Sequence, residues 1–538
     1  MKKQINIIDL FAGPGGLGEG FSGYKSPANY HPFKIQMSVE KEASAHRTLQ
    51  LRAFYRQFRE TGTPVEYYDY IRNPNNLKKA QLEELKEKLF NKYSKQSKAA
   101  IEETLVTPQT LGNDDSDKLI NRKLSKLLKE HEGEDFIVIG GPPCQAYSLA
   151  GRSRMSGIEG YRIEDDYRAE LYKEYLKILY KVTPKVFVME NVKGILSAKL
   201  DGKLIFPEIL KDLHYPGKAL HERPGKKHQY RIFSLVESPD SYDGNDLPVY
   251  KKDAFTIKAE QYGIPQTRHR VILLGIRTDI DITPEILKTK SSSASVEAII
   301  DSIPPLRSGL SKGGSDSSEE WFAVIKDAGQ SLIKKLQKTN SYKQINLIKR
   351  HLKNIRIDLE RGNSRFVPSK IKGFHKNCPK ELKEWIYDKK LGGYANHETK
   401  AHMIEDLKRY LWITTYAELN GDSPNSSAFP KFLAPNHKNW KSGAHADRFK
   451  VQVRNKPAST ITCHISKDGH KSIHYKPEQC RSFTVREAAR IQTFPDNYFF
   501  EGTRTEQYVQ VGNAVPPYLA NQIANIVYKT LIKSEKFR

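Results

Sequence analysis

The sequence predicts an α/β protein built on a doubly wound parallel sheet, and three observations predict it. Short apolar runs recur along the first half of the chain, helical stretches separate them, and acidic residues stand just past the ends of several. Strands alternating with helices are the pattern of a sheet covered on both faces. The carboxyl edge of such a sheet is where ligands bind.

The elements follow in order. Ile5 to Phe11 is an apolar run that ends in Ala12-Gly13-Pro14-Gly15-Gly16-Leu17-Gly18, which reads as a buried strand, a glycine turn and a helix start. A second strand, Phe33–Val39, ends in Glu40, and a third, Val65–Tyr68, ends in Asp69. Residues 73–133 change to charged, helical periodicity and read as a helical insertion. Strand patterns resume at Phe136–Ile139, Val186–Met189 and Val271–Ile276, with the helical stretch Leu171–Leu179 between the first two. Serine-rich stretches at 291–295 and 308–318 then bracket a change of composition. No internal repeat is present.

The chain has 538 residues with 88 Lys and Arg against 63 Asp and Glu, a net charge of +25. That balance calls for a polyanionic partner, of which nucleic acid is the commonest. Residues 331–380 alone hold 14 Lys or Arg against two acids, Asp358 and Glu360, interleaved with Tyr342, Phe366 and Phe374. Four cysteines without a CxxC pair exclude a disulfide framework and suit a reducing compartment. No run approaches the ~18 apolar residues of a membrane span, and Met1-Lys2-Lys3 leads straight into a strand without a signal-peptide core. The expectation is a soluble, cytoplasmic protein.

Four constellations carry chemistry. The glycine turn with Glu40, 22 residues beyond Gly18, lets backbone approach a ligand and places a carboxylate for a ribose diol, so it fits an adenosine cofactor without fixing which one. Cys144, on the Gly140-Gly141-Pro142-Pro143 loop after a strand, is a candidate nucleophile because glycines and prolines rather than packing residues surround it. Glu190, in Glu190-Asn191-Val192, is a carboxylate costly to bury unless paired or used, which suits proton transfer or hydrogen bonding to a base. In Gln266-Thr267-Arg268-His269-Arg270, alternation points Arg268 and Arg270 to one face, where two guanidinium groups suit phosphate and carbonyl oxygens. Cys463, His464, His470, His474 and Cys480 are five ligand-type side chains in one short stretch. It also reads as a hairpin, Ile461–Ile465 against Ser472–Tyr475, and no metal is expected.

These motifs, in this order, resemble the DNA cytosine-5 methyltransferases of bacterial restriction-modification systems. The matching stretches are Asp9–Gly16, Gly141–Gln145, Glu190–Val192 and Gln266–Val271, completed by Arg486–Pro495 and Gln510–Pro516. The resemblance runs from Ile5 to about Arg277 and resumes from Arg481 to Val527.

It implies a Rossmann-like, S-adenosylmethionine-dependent methyltransferase fold with a smaller inserted target-recognition domain. The catalytic domain would span 1–289, a basic recognition domain 290–480, and a C-terminal segment 481–538 would complete the catalytic domain. S-adenosyl-L-methionine would lie against Phe11, Gly13, Gly15, Gly16, Glu40, Asp69, Pro142 and Asn513. Cys144 would add to C6 of a flipped-out cytosine in double-stranded DNA, Glu190 would hold the N3–N4 edge, and Arg268 and Arg270 the base O2 and a phosphate. Ser148 and Arg152 would grip the displaced backbone. The expected enzyme acts as a monomer on DNA, and any cognate restriction endonuclease would be a separate chain. A tRNA cytosine-5 methyltransferase with the same motif set is the alternative reading.

Overall fold

A computed structural model describes residues 3–73, 77, 79–143, 167–200, 202–222, 229–311, 316–339, 341–369, 374–435, 440 and 448–536. Its centre is a seven-stranded sheet: β1 (Ile5–Leu10), β2 (Phe33–Val39), β3 (Asp135–Gly140), β4 (Val186–Val192), β5 (Tyr230–Phe233), β6 (Thr256–Lys258) and β7 (His269–Arg277). The order is β6-β7-β4-β3-β1-β2, with β5 beside the far half of β7. The pairs β2/β1, β1/β3 and β3/β4 are parallel, whereas β7 runs antiparallel to β4, β5 and β6. The sheet is therefore mixed rather than wholly parallel. Its parallel half carries the glycine turn.

Side-chain alternation divides the core into two layers. Ile137, Ile139, Val186, Val188, Ile272 and Leu274 face one side, with Leu17 and Phe21 of helix α1 (Gly16–Gly23) and the chain end from Leu519 to Leu531. Phe136, Val138, Phe187, Met189, Val271 and Leu273 face the other. Helices cover both layers, as the strand–helix alternation requires.

The strand expected at 65–68 is instead helix α3 (Val65–Arg72), which follows α2 (Ala43–Arg56). Tyr67, Tyr68, Tyr70 and Ile71 are buried at helical spacing, so packing overrides the β-preference of the Val-Glu-Tyr-Tyr run. Asp69 is consequently not at a strand end. Its side chain is 61% exposed and pairs with Arg72 three residues on, so the premise for an adenine contact there fails.

Residues 73–133 contain helices, as their periodicity predicts: α4 (Lys79–Lys92), α5 (Ser94–Glu103) and α6 (Asp114–Glu130). α6 is not an accessory, however. Asn113 caps it through the Ser116 amide, and Asp114, Asp115 and Asp117 favour its first turn. Its Ile120, Leu124 and Leu127 pack beside Leu10, Met37 and Val138, which makes it the crossover helix from β2 to β3. Helices α3–α5 form one packed unit. It packs on α2 through Phe54, Phe58 and Phe90 and reaches Leu391, Ala395 and Phe366 in the second half of the chain.

A further core runs from Ala294 to Ala514 without a break at residue 480. Beyond α7 (Tyr167–Val182), which packs Leu171, Tyr175 and Leu179 against the sheet, its frame is α8 (Ser318–Gln337), α9 (Tyr342–Asn354), α10 (Ile404–Asn420), α11 (Val485–Ile491) and α12 (Arg504–Asn513). The last helix, α13 (Pro517–Lys536), returns to the sheet and packs on α1. The Arg486–Pro495 motif is structural. Arg486 donates to the carbonyls of Ala395, Pro495 and Tyr498, Arg490 forks onto Asp496, and both are fully buried.

Candidate active site

The carboxyl ends of β1, β2, β3 and β4 lie side by side, and each continues into a motif. Past β1 the backbone enters the left-handed region at Phe11 (φ 53°) and Gly13 (φ 57°), then at Gly15, which caps α1. The glycines have different reasons. A Cβ on Gly13 meets no described atom within 4 Å, so that side of the turn is open for a ligand. A Cβ on Gly15 would lie 2.8 Å from Leu49 and 2.9 Å from the Tyr498 hydroxyl, and one on Gly16 2.3 Å from the Val515 carbonyl oxygen. At those two glycines the turn also admits neighbouring protein.

Glu40, directly after β2, is buried and accepts the Gly13 amide at 2.7 Å through Oε2 and the Glu42 amide at 2.7 Å through Oε1. Burial pushes its carboxyl above the usual range, opposed by those amides. The turn and the acid thus form one unit. Tyr498, fully buried, donates its hydroxyl to the Pro14 carbonyl from the C-terminal segment. Within α1, Glu19 takes a fork from Arg52 and sits at about 2, because Arg52 outweighs the burial that would raise it. Asp9, in β1, is buried with neither carboxylate oxygen hydrogen-bonded among the described residues, and burial pushes it up to about 8.

Asn513 ends α12 and is exposed, two residues before the Val515 carbonyl that abuts Gly16. The chain end therefore does pack against the glycine turn, as a role for Asn513 in that pocket requires. Sequence reasoning missed Tyr498, since nothing local marks a tyrosine 484 residues away as the partner of a loop carbonyl.

On the next strands, Glu190 Oε1 and Arg270 Nε form an ion pair at 2.8 Å, both side chains about 15% exposed or less. Arg270 faces Val192 and Ile272 faces Glu190 across the antiparallel pair of β7 and β4, so the register brings acid and guanidinium together. Gly141 lies against the same acid, where a Cβ would be 2.9 Å from Glu190 Oε2. Asn191 donates to the Pro142 carbonyl at 3.3 Å, and its Oδ1 accepts the Val192 amide. β4 thus holds the loop that leads into Cys144. Cys144 itself, with Ser148 and Arg152, lies outside the described residues.

Arg268 has partners that its spacing in the sequence does not reveal. It is 1% exposed and donates to the carbonyls of Ile461 (2.8 Å) and Gly512 (3.2 Å), which ties the entry to β7 to the C-terminal segment. The expected hairpin at 461–475 is absent: residues 463–466 and 470–472 are single 3₁₀ turns. His470 bonds the Tyr410 hydroxyl at 2.7 Å, and Cys480 is buried.

A glycine turn and ribose-type acid at neighbouring strand ends, beside a carboxylate–guanidinium pair on a mixed sheet, define the Rossmann-like methyltransferase class. Sequence comparison sharpens this. The chain belongs to the C-5 cytosine-specific DNA methylase family, whose sequence model matches residues 75–218 and 245–529, and it is a DNA cytosine-5 methyltransferase. It is 32% identical over 533 residues to the type II methyltransferase M.Bpa9945I of Bacillus paralicheniformis, covering 97% of this chain and 98% of that one. To the type II methyltransferase M.DdeI of Desulfomicrobium norvegicum it is 27% identical over 538 residues, covering 97% and 88%. Among solved structures, one described as a DNA modification methyltransferase encoded within an E. coli prophage matches with a TM-score of 0.51. At 17% identity over 98% of this chain and 100% of that one, it shows a shared fold.

Proposed function

We propose that the protein transfers a methyl group from S-adenosyl-L-methionine to C5 of a flipped-out cytosine in duplex DNA, through a covalent Cys144–C6 adduct, in a type II restriction-modification system. The observation that carries this reading is the Glu190–Arg270 pair, set against the Gly141–Pro142 shoulder of the loop that leads into Cys144.

The residues present fit the cofactor: the open side of Gly13, with Glu40 tied to its amide, supplies backbone approach and a carboxylate for ribose hydroxyls. Phe11, Gly13, Gly15, Gly16, Glu40, Pro142 and Asn513 would hold it. When bound, it supplies an electrophilic methyl group on a sulfonium. C5 of cytosine is a weak nucleophile, so the Cys144 thiolate adds at C6 and pushes electron density to C5. Glu190, oriented by Arg270, holds the N3–N4 edge and favours N3 protonation as the adduct forms. Arg270 would hold the base O2, while Arg268 would fix the strand. With the methyl group on C5, loss of the C5 proton expels the Cys144 thiolate and restores the ring as 5-methylcytosine. Since C6 is inaccessible in a stacked duplex, the base must be flipped, at a cost on the order of a few kcal/mol.

Residues 290–480 would recognise the target, with the enzyme acting as a monomer in the cytoplasm and any restriction endonuclease a separate chain. No helix among the described residues is long and apolar enough to cross a membrane. The family match and the type II relatives support DNA over the tRNA reading. Incubation with methyl-labelled S-adenosylmethionine and either duplex DNA or tRNA tests this. The expected product is 5-methyldeoxycytidine in DNA; label in tRNA alone overturns it.

A further inference from the structure

Residues 328–357 contain eight Lys or Arg and no acid. The structure turns this composition into a surface. Helix α9 buries Gln344, Ile345, Leu347, Ile348, His351 and Leu352 and exposes Lys343, Asn346, Lys349, Arg350 and Lys353. Spacings of three and four residues place these on one face of the helix. At 1.5 Å per residue, Lys343 to Lys353 spans ~15 Å, or about four to five steps of one DNA strand at 3.4 Å each. Exposed Lys334 and Lys338, at the end of α8, extend the same charge. Arg350 pairs with Glu418, but among the described residues no carboxylate is within ion-pair distance of Lys343, Lys349 or Lys353.

The stripe does not end on a flat surface. Past the end of α9 lies a cleft of about 290 Å³ lined by Asn354, Arg356, Arg454, Lys476, Glu478 and Gln479. Its acid, Glu478, is engaged by His351, and its cations Arg356, Arg454 and Lys476 pair with Asp358, Glu297 and Asp301 at its rim. Arg454 stands four residues before Ala458, whose amide bonds the Pro265 carbonyl, and Ala458–Ser459 pairs with Gln266–Thr267 at the entry to β7. Four residues reach at most about 14 Å. The basic track therefore approaches the strand that carries Arg270.

We propose that the exposed face of α9, with the cleft at its end, binds the sugar–phosphate backbone of substrate DNA and sets affinity without reading bases. This rests on the DNA methyltransferase reading and adds the surface that holds the duplex. Lysines are point charges that neutralise phosphates whatever the sequence, so the signature is salt dependence.

The test is equilibrium binding of a 40-bp mixed-sequence duplex across a salt series. It compares the wild type with the full-length triple variant Lys343→Gln/Lys349→Gln/Lys353→Gln and with a second variant, Lys334→Gln/Lys338→Gln. Each neutralised phosphate contributes about 0.9 to the slope of log affinity against log salt, so the triple variant should lose about 2.7 and the double up to about 1.8. Labelled S-adenosylmethionine should bind the wild type and both variants equally. An unchanged slope in both variants overturns the proposal, as does an equal loss of cofactor binding, which marks general damage. A wild type that binds DNA through these lysines but does not methylate it would sustain this surface while refuting the proposed reaction.

Discussion

Glu190 and Arg270 meet at 2.8 Å from adjacent antiparallel strands, with Gly141 packed against the acid's other oxygen. One ion pair thus joins β4, the arginine motif at the start of β7 and the loop that leads into Cys144. Glu190→Gln keeps the shape and removes the charge that the adduct needs. It should lower kcat by about 10²-fold or more, with cofactor affinity within about twofold of wild type. Single-turnover methylation and S-adenosylhomocysteine binding read the two separately. A proportional loss of both would show that Glu190 serves only the fold.

Gly16→Ala tests the junction between the chain end and the glycine turn. Its Cβ would sit 2.3 Å from the Val515 carbonyl oxygen, and backbone cannot yield as a flexible side chain would. The expected outcome is a loss of about 1–3 kcal/mol in denaturant stability and a raised KM for S-adenosylmethionine. Unchanged stability and KM would mean that the junction opens freely.

Tyr498→Phe removes the hydroxyl that donates to the Pro14 carbonyl. Leaving that carbonyl without its partner should cost about 1–3 kcal/mol and weaken cofactor binding more than DNA binding. Calorimetric titration with each ligand compares the two losses.

How much of this was legible beforehand depends on distance along the chain. The glycine turn, Glu40 and the β4 acid are local patterns, a strand period followed by turn residues, and they stand where the sequence puts them. Asp69 misled because Val-Glu-Tyr-Tyr has strand propensity, while burial of Tyr67, Tyr70 and Ile71 against distant residues selects a helix. Arg268 reads in sequence as a group for phosphate and carbonyl oxygens, and Arg486 only as part of a matching stretch. Their partners, Ile461, Gly512, Ala395 and Tyr498, are long-range carbonyls that no spacing reveals. The antiparallel placement of β7 is a topological choice of the same kind.

His351 supplies a pH prediction for the second core. Burial opposes its charge, but Glu418 on Nε2 (2.7 Å) and Glu478 on Nδ1 (2.5 Å) prevail and raise it to about 9. A histidine raised above its unfolded value of 6.5 contributes stability that is fully present below that pH and fades as pH climbs through about 9. Wild-type melting temperature should therefore fall across pH 6.5–9. His351→Gln should show a flatter profile and lower stability at pH 6. Parallel profiles would remove the ion triad from the account.

The central claim is cytosine-5 methylation of DNA by Cys144 as the nucleophile. The most direct measurement is base-resolved methylation sequencing of DNA from a methylation-free host expressing the wild type or Cys144→Ser. The account predicts 5-methylcytosine at one sequence motif with the wild type and none with the variant. Undiminished 5-methylcytosine in the Cys144→Ser cells, or modification confined to exocyclic nitrogens, would contradict it.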